Sequence, residues 1–105
     1  TRNSKVNDII RRLDTYSIEP VVVDPWASER DAMKEYGVTL HSMDEIKDSD
    51  CIIVAVAHNE FKELTLDDLK KLYKAGPDNE KVLIDVKGLY KIKDLKDSGL
   101  CWWRL

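Results

Sequence analysis

The chain is 105 residues long, with 17 Lys+Arg against 20 Asp+Glu, a formal net charge of −3 and 35% charged residues. That length is one domain's worth, and a hydrophobic share of 43% supplies a modest core, although a chain this short hides only about 60–70% of the surface its unfolded form exposes. The near-balanced, slightly acidic charge excludes a general nucleic-acid binder, which gathers a Lys/Arg excess on one face or in one run.

No apolar run approaches the roughly 20 residues that cross a bilayer. The longest, Cys51 to Ala57, has the length of a strand. Thr1-Arg2-Asn3-Ser4-Lys5 carries neither the apolar core of a signal peptide nor an initiator Met, so we expect a piece of a longer chain. Cys51 and Cys101 form no C-x-x-C pair, and Cys51 sits in an apolar run where a reduced, buried thiol is expected. A cytoplasmic protein fits this usage.

From Ser4 onward, Val6, Ile9, Ile10 and Leu13 recur at helical spacing between charged residues, which predicts an amphipathic helix capped by Asn3 or Ser4. Pro20-Val21-Val22-Val23, closed by Asp24-Pro25, predicts a parallel strand covered on both faces. Ala27 to Tyr36 predicts a helix with Ser28 as N-cap and Gly37 as its stop, followed by a short strand at Val38-Thr39-Leu40. Met43 to Lys47 reads as one helical turn, and Cys51 to Ala57 as the best candidate for the central strand.

Thr65 predicts the cap of a helix running through Lys74, with Leu66, Leu69, Leu72 and Tyr73 on one face and a stop at Gly76-Pro77. Lys81 to Val86 reads as another doubly buried strand, Ile92 to Asp97 as a short helix ending at Gly99, and Leu100 to Arg104 as a last strand. Helix and strand alternate throughout. The fold class is therefore α/β, a three-layer αβα Rossmann-like domain with a mainly parallel sheet and helices on both faces. A doubly wound domain begins with its central strand, yet this chain opens on a helix; the strand before Arg2 is expected to be missing, leaving a gap in the sheet.

Gly37, Gly76, Gly88 and Gly99 are too dispersed for a phosphate loop, so no self-sufficient dinucleotide or NTP site is expected. His41 and His58 lack metal-site spacing, and no metal is expected. His58 follows the apolar strand at its carboxyl end, where open parallel sheets place ligands; it reads either as a ligand-facing side chain or as a polar strand terminus. Asp85-Val86-Lys87-Gly88 lies at the same kind of edge. There Gly88 permits a sharp turn or a close approach, and Lys87 is either a phosphate partner or a solvated surface charge.

Asp24-Pro25 reads as a turn that stops a strand, and Arg2, beside a helix N-terminus, could help hold an anion. Cys51 has no nearby base, no Ser/His/Asp elbow exists, and the Asp67-Asp68 pair complements a helix dipole, so no catalytic residue is assigned. Trp102-Trp103 is expected to put one ring into the core and one toward solvent or a partner.

Taken in order, Arg2-Asn3-Ser4-Lys5-Val6, Val23-Asp24-Pro25-Trp26-Ala27, Glu35-Tyr36-Gly37-Val38, Ala55-Val56-Ala57-His58-Asn59-Glu60-Phe61, Ile84-Asp85-Val86-Lys87-Gly88 and Trp103-Arg104-Leu105 form a pattern. It resembles the C-terminal, UDP-binding domain of the UDP-glucose/GDP-mannose dehydrogenase family over essentially the whole chain, 1–105. The Ala-His-Asn-Glu-Phe and Asp-Val-Lys-Gly forms are similar to the UDP-N-acetylhexosamine 6-dehydrogenase branch, whereas the UDP-glucose branch carries an Arg at the position of Lys87.

The resemblance implies NAD-dependent oxidation of the C6 hydroxyl of a UDP-sugar to a uronic acid for surface polysaccharide, with this chain contributing to the UDP pocket. It also implies a role for Arg2 toward the NAD cofactor and for Lys87 toward the UDP part of the substrate. Gly88 and His58 are expected beside Lys87 as substrate-binding residues. The catalytic Cys and the NAD-binding domain are expected elsewhere, so the fragment alone should be inactive and bind UDP at millimolar strength or weaker. The partners expected are a UDP-sugar and further copies of the protein as a homodimer or higher oligomer, with no nucleic acid and no membrane. Unpaired strand edges and the two Trp side chains also suggest self-association of the fragment. The alternative reading is a free-standing flavodoxin-like receiver or protein-interaction module.

Overall fold

The structure, a computed structural model, describes residues 4–23, 39–55 and 63–105. The chain forms two compact units, Thr1–Ile46 and Lys47–Leu105. The first opens on α1, Ser4–Thr15. Lys5, Asp8, Arg11, Arg12 and Asp14 are exposed while Val6, Ile9, Ile10 and Leu13 are partly buried, so the period read in the sequence is the helix's two-sidedness.

The helix ends in a Schellman arrangement. Ser17 N donates to Asp14 O at 2.9 Å and Ile18 N to Leu13 O at 2.9 Å, with Ser17 left-handed at φ 59°. The strand expected at Pro20–Val23 is reduced to one parallel bridge, Val22 to Leu40, with His41 N donating to Val22 O at 2.9 Å. Val21 is 58% exposed, so this run is not covered on both faces as its composition suggested. A 3-10 turn at Met43–Glu45 replaces the expected helical turn, and it is shaped by Glu45, whose Oε1 accepts from Ser42 N at 3.0 Å and whose Oε2 meets His41 Nδ1 at 2.7 Å. The helix expected at Ala27 to Tyr36, with Ser28 and Gly37 at its ends, lies outside the described residues.

The second unit carries β1 (Cys51–Val54), α2 (Leu66–Lys70), β2 (Val82–Asp85), α3 (Ile92–Ser98) and β3 (Cys101–Arg104). All pairings are parallel and the spatial order is β1-β2-β3. This is an α/β, Rossmann-like architecture. The strand order advances in one direction, so right-handed crossovers bring both helices to the same face of these three strands. One core joins them there: Leu69 of α2, Leu83 of β2, Leu95 of α3, Tyr90 and Leu100, with Ile52 and Trp102 packed against it.

Within the described sheet the middle place belongs to β2, not to the Cys51 strand, and Leu83 and Asp85 are its fully buried side chains. Strand β1 stops at Val54, and Cys51 is exposed rather than buried as expected, because it stands at the strand's open start. Trp102 packs on the core while Trp103 is 62% exposed, the division of labour expected of the pair.

Thr65 caps α2 as its sequence indicates: Thr65 Oγ1 accepts from Asp68 N at 3.1 Å and Asp68 Oδ2 accepts from Thr65 N at 3.0 Å. The helix stops at Lys70 instead of Lys74 because the backbone that would continue it is engaged elsewhere. Leu72 O accepts from Ser49 N and Lys74 N donates to Ser49 O, both at 3.0 Å. Tyr73 O–H in turn donates to Val82 O at 2.6 Å, tying this bridge to β2. Helix α3 ends at Gly99, left-handed at φ 82°, as read.

Asp78 joins α2 to the start of β2, meeting Lys81 Nζ at 2.9 Å and Lys70 Nζ at 3.1 Å. Hydrogen bonds from Lys81 first and Lys70 second hold its carboxyl below the ordinary carboxylate range. A group whose folded pKa is lowered contributes stability in full above its unfolded pKa and loses it as pH falls through the folded value. Asp78→Asn is therefore expected to be less stable than the parent at pH 7, with the difference closing as pH falls below about 4; urea melts across pH check it. At the end of α1, Ser17→Gly removes the left-handed strain of a residue with a Cβ and should stabilise by up to about 1 kcal/mol, read as a raised urea midpoint.

Candidate functional site

Because the three strands are parallel, their carboxyl ends share one edge, where Val54, Asp85 and Arg104 lie in register. Open parallel sheets bind ligands outside this edge. Val86 N donates to Val54 O at 2.9 Å, closing the end of β2 against β1. The chain then turns.

The turn is built by the buried carboxylate of Asp85. Its Oδ1 accepts from Leu89 N at 2.9 Å and its Oδ2 from Tyr90 N at 3.0 Å. Tyr90 is itself fixed: its O–H donates to Leu64 O at 2.7 Å, and burial first, with the Asp85 charge second, pushes the phenol up to about 12. Between these anchors Val86 is buried and Lys87 is exposed. The ammonium is thus presented at the sheet's carboxyl edge by a loop pinned from below.

Gly88 is left-handed at φ 70°, a conformation in which a Cβ is costly. A side chain there would also have to displace a neighbour. The guanidinium of Arg104 covers the glycine, and a Cβ at position 88 would collide with Nη2 and stand only 3.1 Å from both Cζ and Nε. Lys87 and Arg104 are both exposed, and Arg104 covers the partly buried Gly88 that follows Lys87.

The thiols lie at the other end of the sheet, since Cys51 opens β1 and Cys101 opens β3. Cys51 is exposed as a residue, yet partial desolvation of its sulfur, followed by the charges of Asp50 and Cys101, raises its pKa, opposite to what an activated nucleophile needs. Asp67 and Asp68 sit in the first turn of α2, where Asp68 serves the cap. Of the residues read from the sequence as site candidates, Lys87 and Gly88 are brought together here. Arg2, His58 and Asp24 lie outside the described residues. Two contributors were not assigned from sequence: Asp85 as the organiser of the turn and Arg104 as its cover. An Asp ending a buried strand three residues before a Gly was a usable signal for the first. The second depends on strand register, which no short motif encodes.

Residues 1–92 match the profile of the UDP-glucose/GDP-mannose dehydrogenase family, UDP binding domain. The chain belongs to this family. It is 48% identical over 88 residues to a UDP-N-acetyl-D-glucosamine 6-dehydrogenase of Pseudomonas aeruginosa, covering 84% of this chain and 20% of that protein. It is 34% identical over 88 residues to a protein of the same name from Salmonella typhi, covering 82% and 19%. A UDP-N-acetyl-D-mannosamine dehydrogenase of Methanococcus vannielii is 31% identical over 100 residues, covering 94% and 22%. The chain thus spans about a fifth of the length of these relatives. Nothing in this family match favours the receiver or interaction-module reading.

Within this family domain the role of Asp85 is directly testable. Asp85→Ala leaves two amide donors, Leu89 N and Tyr90 N, without their acceptor and is expected to cost about 3 kcal/mol. Asp85→Asn keeps one acceptor oxygen and should cost less. Denaturant melts give the stabilities, and faster exchange of the Leu89 and Tyr90 amides would locate the damage.

Proposed function

We propose that the chain is the C-terminal UDP-binding domain of an NAD-dependent UDP-sugar 6-dehydrogenase, probed most directly through Lys87 at the carboxyl edge of β2. The supporting observation is the Asp85-pinned turn, which presents an exposed ammonium and a left-handed glycine at that edge, in a chain matched by a UDP-binding family profile. A diphosphate needs a cation close by and backbone that lets it approach; Lys87 supplies the first and Gly88 the second. His58 is assigned beside them as a further substrate contact.

The whole enzyme oxidises the C6 hydroxyl of the sugar to a carboxylate, consuming water and passing two hydrides to NAD, for polysaccharide synthesis in the cytoplasm. The names of the relatives favour an N-acetylated UDP-hexosamine as substrate. We assign it a homo-oligomeric state on the same family grounds. Among the described residues none forms a dinucleotide cradle: Gly76, Gly88 and Gly99 stand on separate turns. The NAD reading in this chain therefore rests on Arg2 alone. No helix among them is long and apolar enough to cross a membrane.

The test is UDP binding to the full-length protein by calorimetry. Lys87→Ala should weaken UDP about tenfold or more, the share of one charge-assisted contact, and Lys87→Arg should retain most of the affinity. A parent protein that does not bind UDP, or a Lys87→Ala variant that binds it unchanged, would overturn the assignment.

A further inference from the structure

Strand β3 carries a second cation at this edge, Arg104. Arg104 lies opposite Asp85 in the β2–β3 register, so both residues stand at the same edge and on the same face of the sheet. Opposite charges so placed would ordinarily pair. Here they do not: Asp85 accepts the backbone N–H groups of Leu89 and Tyr90, and no ion pair joins it to Arg104. Arg104 makes no ion pair with any described residue.

Its guanidinium instead lies over Gly88, where the missing Cβ makes room for Nη2, Cζ and Nε together. Two residues earlier Trp102 is packed on the core, which fixes the strand from which this exposed side chain reaches. The result is a planar fork of N–H donors over Gly88, one residue from Lys87, with no ion-pair partner among the described residues. Guanidinium matches two phosphate oxygens at once, whereas an ammonium does not.

We infer that Arg104 is a second phosphate-binding residue, which with Lys87 clamps the diphosphate of a nucleoside diphosphate across Gly88. This rests on the UDP reading. It adds a residue to it, and it assigns Gly88 the further task of leaving space for the guanidinium. A side chain at position 88 would push the fork away from the anion.

The experiment compares UDP with uridine as ligands of the full-length protein, parent and variants, over a range of salt. Arg104→Ala should weaken UDP about tenfold, leave uridine unchanged and flatten the salt dependence of UDP binding. Arg104→Lys should recover part of the loss, and Gly88→Ala should mimic Arg104→Ala. If Arg104→Ala fails to fold, as judged by its thermal transition, Arg104→Gln removes the charge while keeping a polar stem and carries the same test. Equal loss of UDP and uridine would mean that Arg104 only supports the fold, and would overturn the inference. Unchanged UDP affinity in Arg104→Ala, with Lys87→Ala impaired, would overturn it while leaving the UDP reading standing. A parent that binds no UDP would remove both.

Discussion

The buried carboxylate of Asp85 is the constraint on which the candidate site depends. A charge with no exposure is tolerated only when its oxygens are occupied, and here two backbone amides of the following turn occupy them. The exchange is mutual. Leu89 N and Tyr90 N would otherwise be amides beside a core with no strand or helix to receive them, and Asp85 would otherwise be an unpaired ion under the sheet. Because each side satisfies the other, the path of residues 86–90 is fixed, and with it the positions of Lys87 and Gly88.

The same carboxylate separates two kinds of cation. Lys70 and Lys81 are largely covered and share Asp78 at the amino-end side of β2, where their charge serves to fasten α2 to the strand. Lys87 and Arg104 stand at the carboxyl edge, and the acid in register with Arg104 accepts two backbone amides of the turn. The sheet thus has a mechanical end, with salt bridges, the Tyr73 tether and the Ser49 bridge, and an end where, among the described residues, Lys87 and Arg104 form no ion pair. Parallel pairing makes this division possible, since it puts every strand start on one side and every strand finish on the other.

The alternation of elements was legible because each rests on local signals: Thr65 with Asp68 at the start of α2, Gly99 at the end of α3, the apolar runs at β1 and β2. Where the sequence misled, a tertiary partner had intervened. The helical periodicity through Leu72 and Tyr73 is real, yet Ser49 takes the backbone of Leu72 and Lys74, and a helix cannot use the same groups twice. Val21 is β-branched but exposed, and Cys51 is apolar but stands at an open strand start, so composition alone overstated their burial. Lys87 and Gly88 could be read as site candidates from their place after a buried strand. Arg104 could not, because its meeting with Gly88 joins residues sixteen apart through a crossover helix and a register.

The overall charge gives that meeting its physical weight. A chain of net charge −3 repels a diphosphate at long range, but screening confines such effects to about 8 Å at physiological ionic strength. Within that radius the count is local. Lys87 and Arg104 stand at the strand edge, and among the described residues neither forms an ion pair. Asp85, the acid in register with Arg104, accepts hydrogen bonds from Leu89 N and Tyr90 N and forms no ion pair with Arg104. One buried acid therefore shapes the turn that carries Lys87 and Gly88, the glycine over which the Arg104 guanidinium lies.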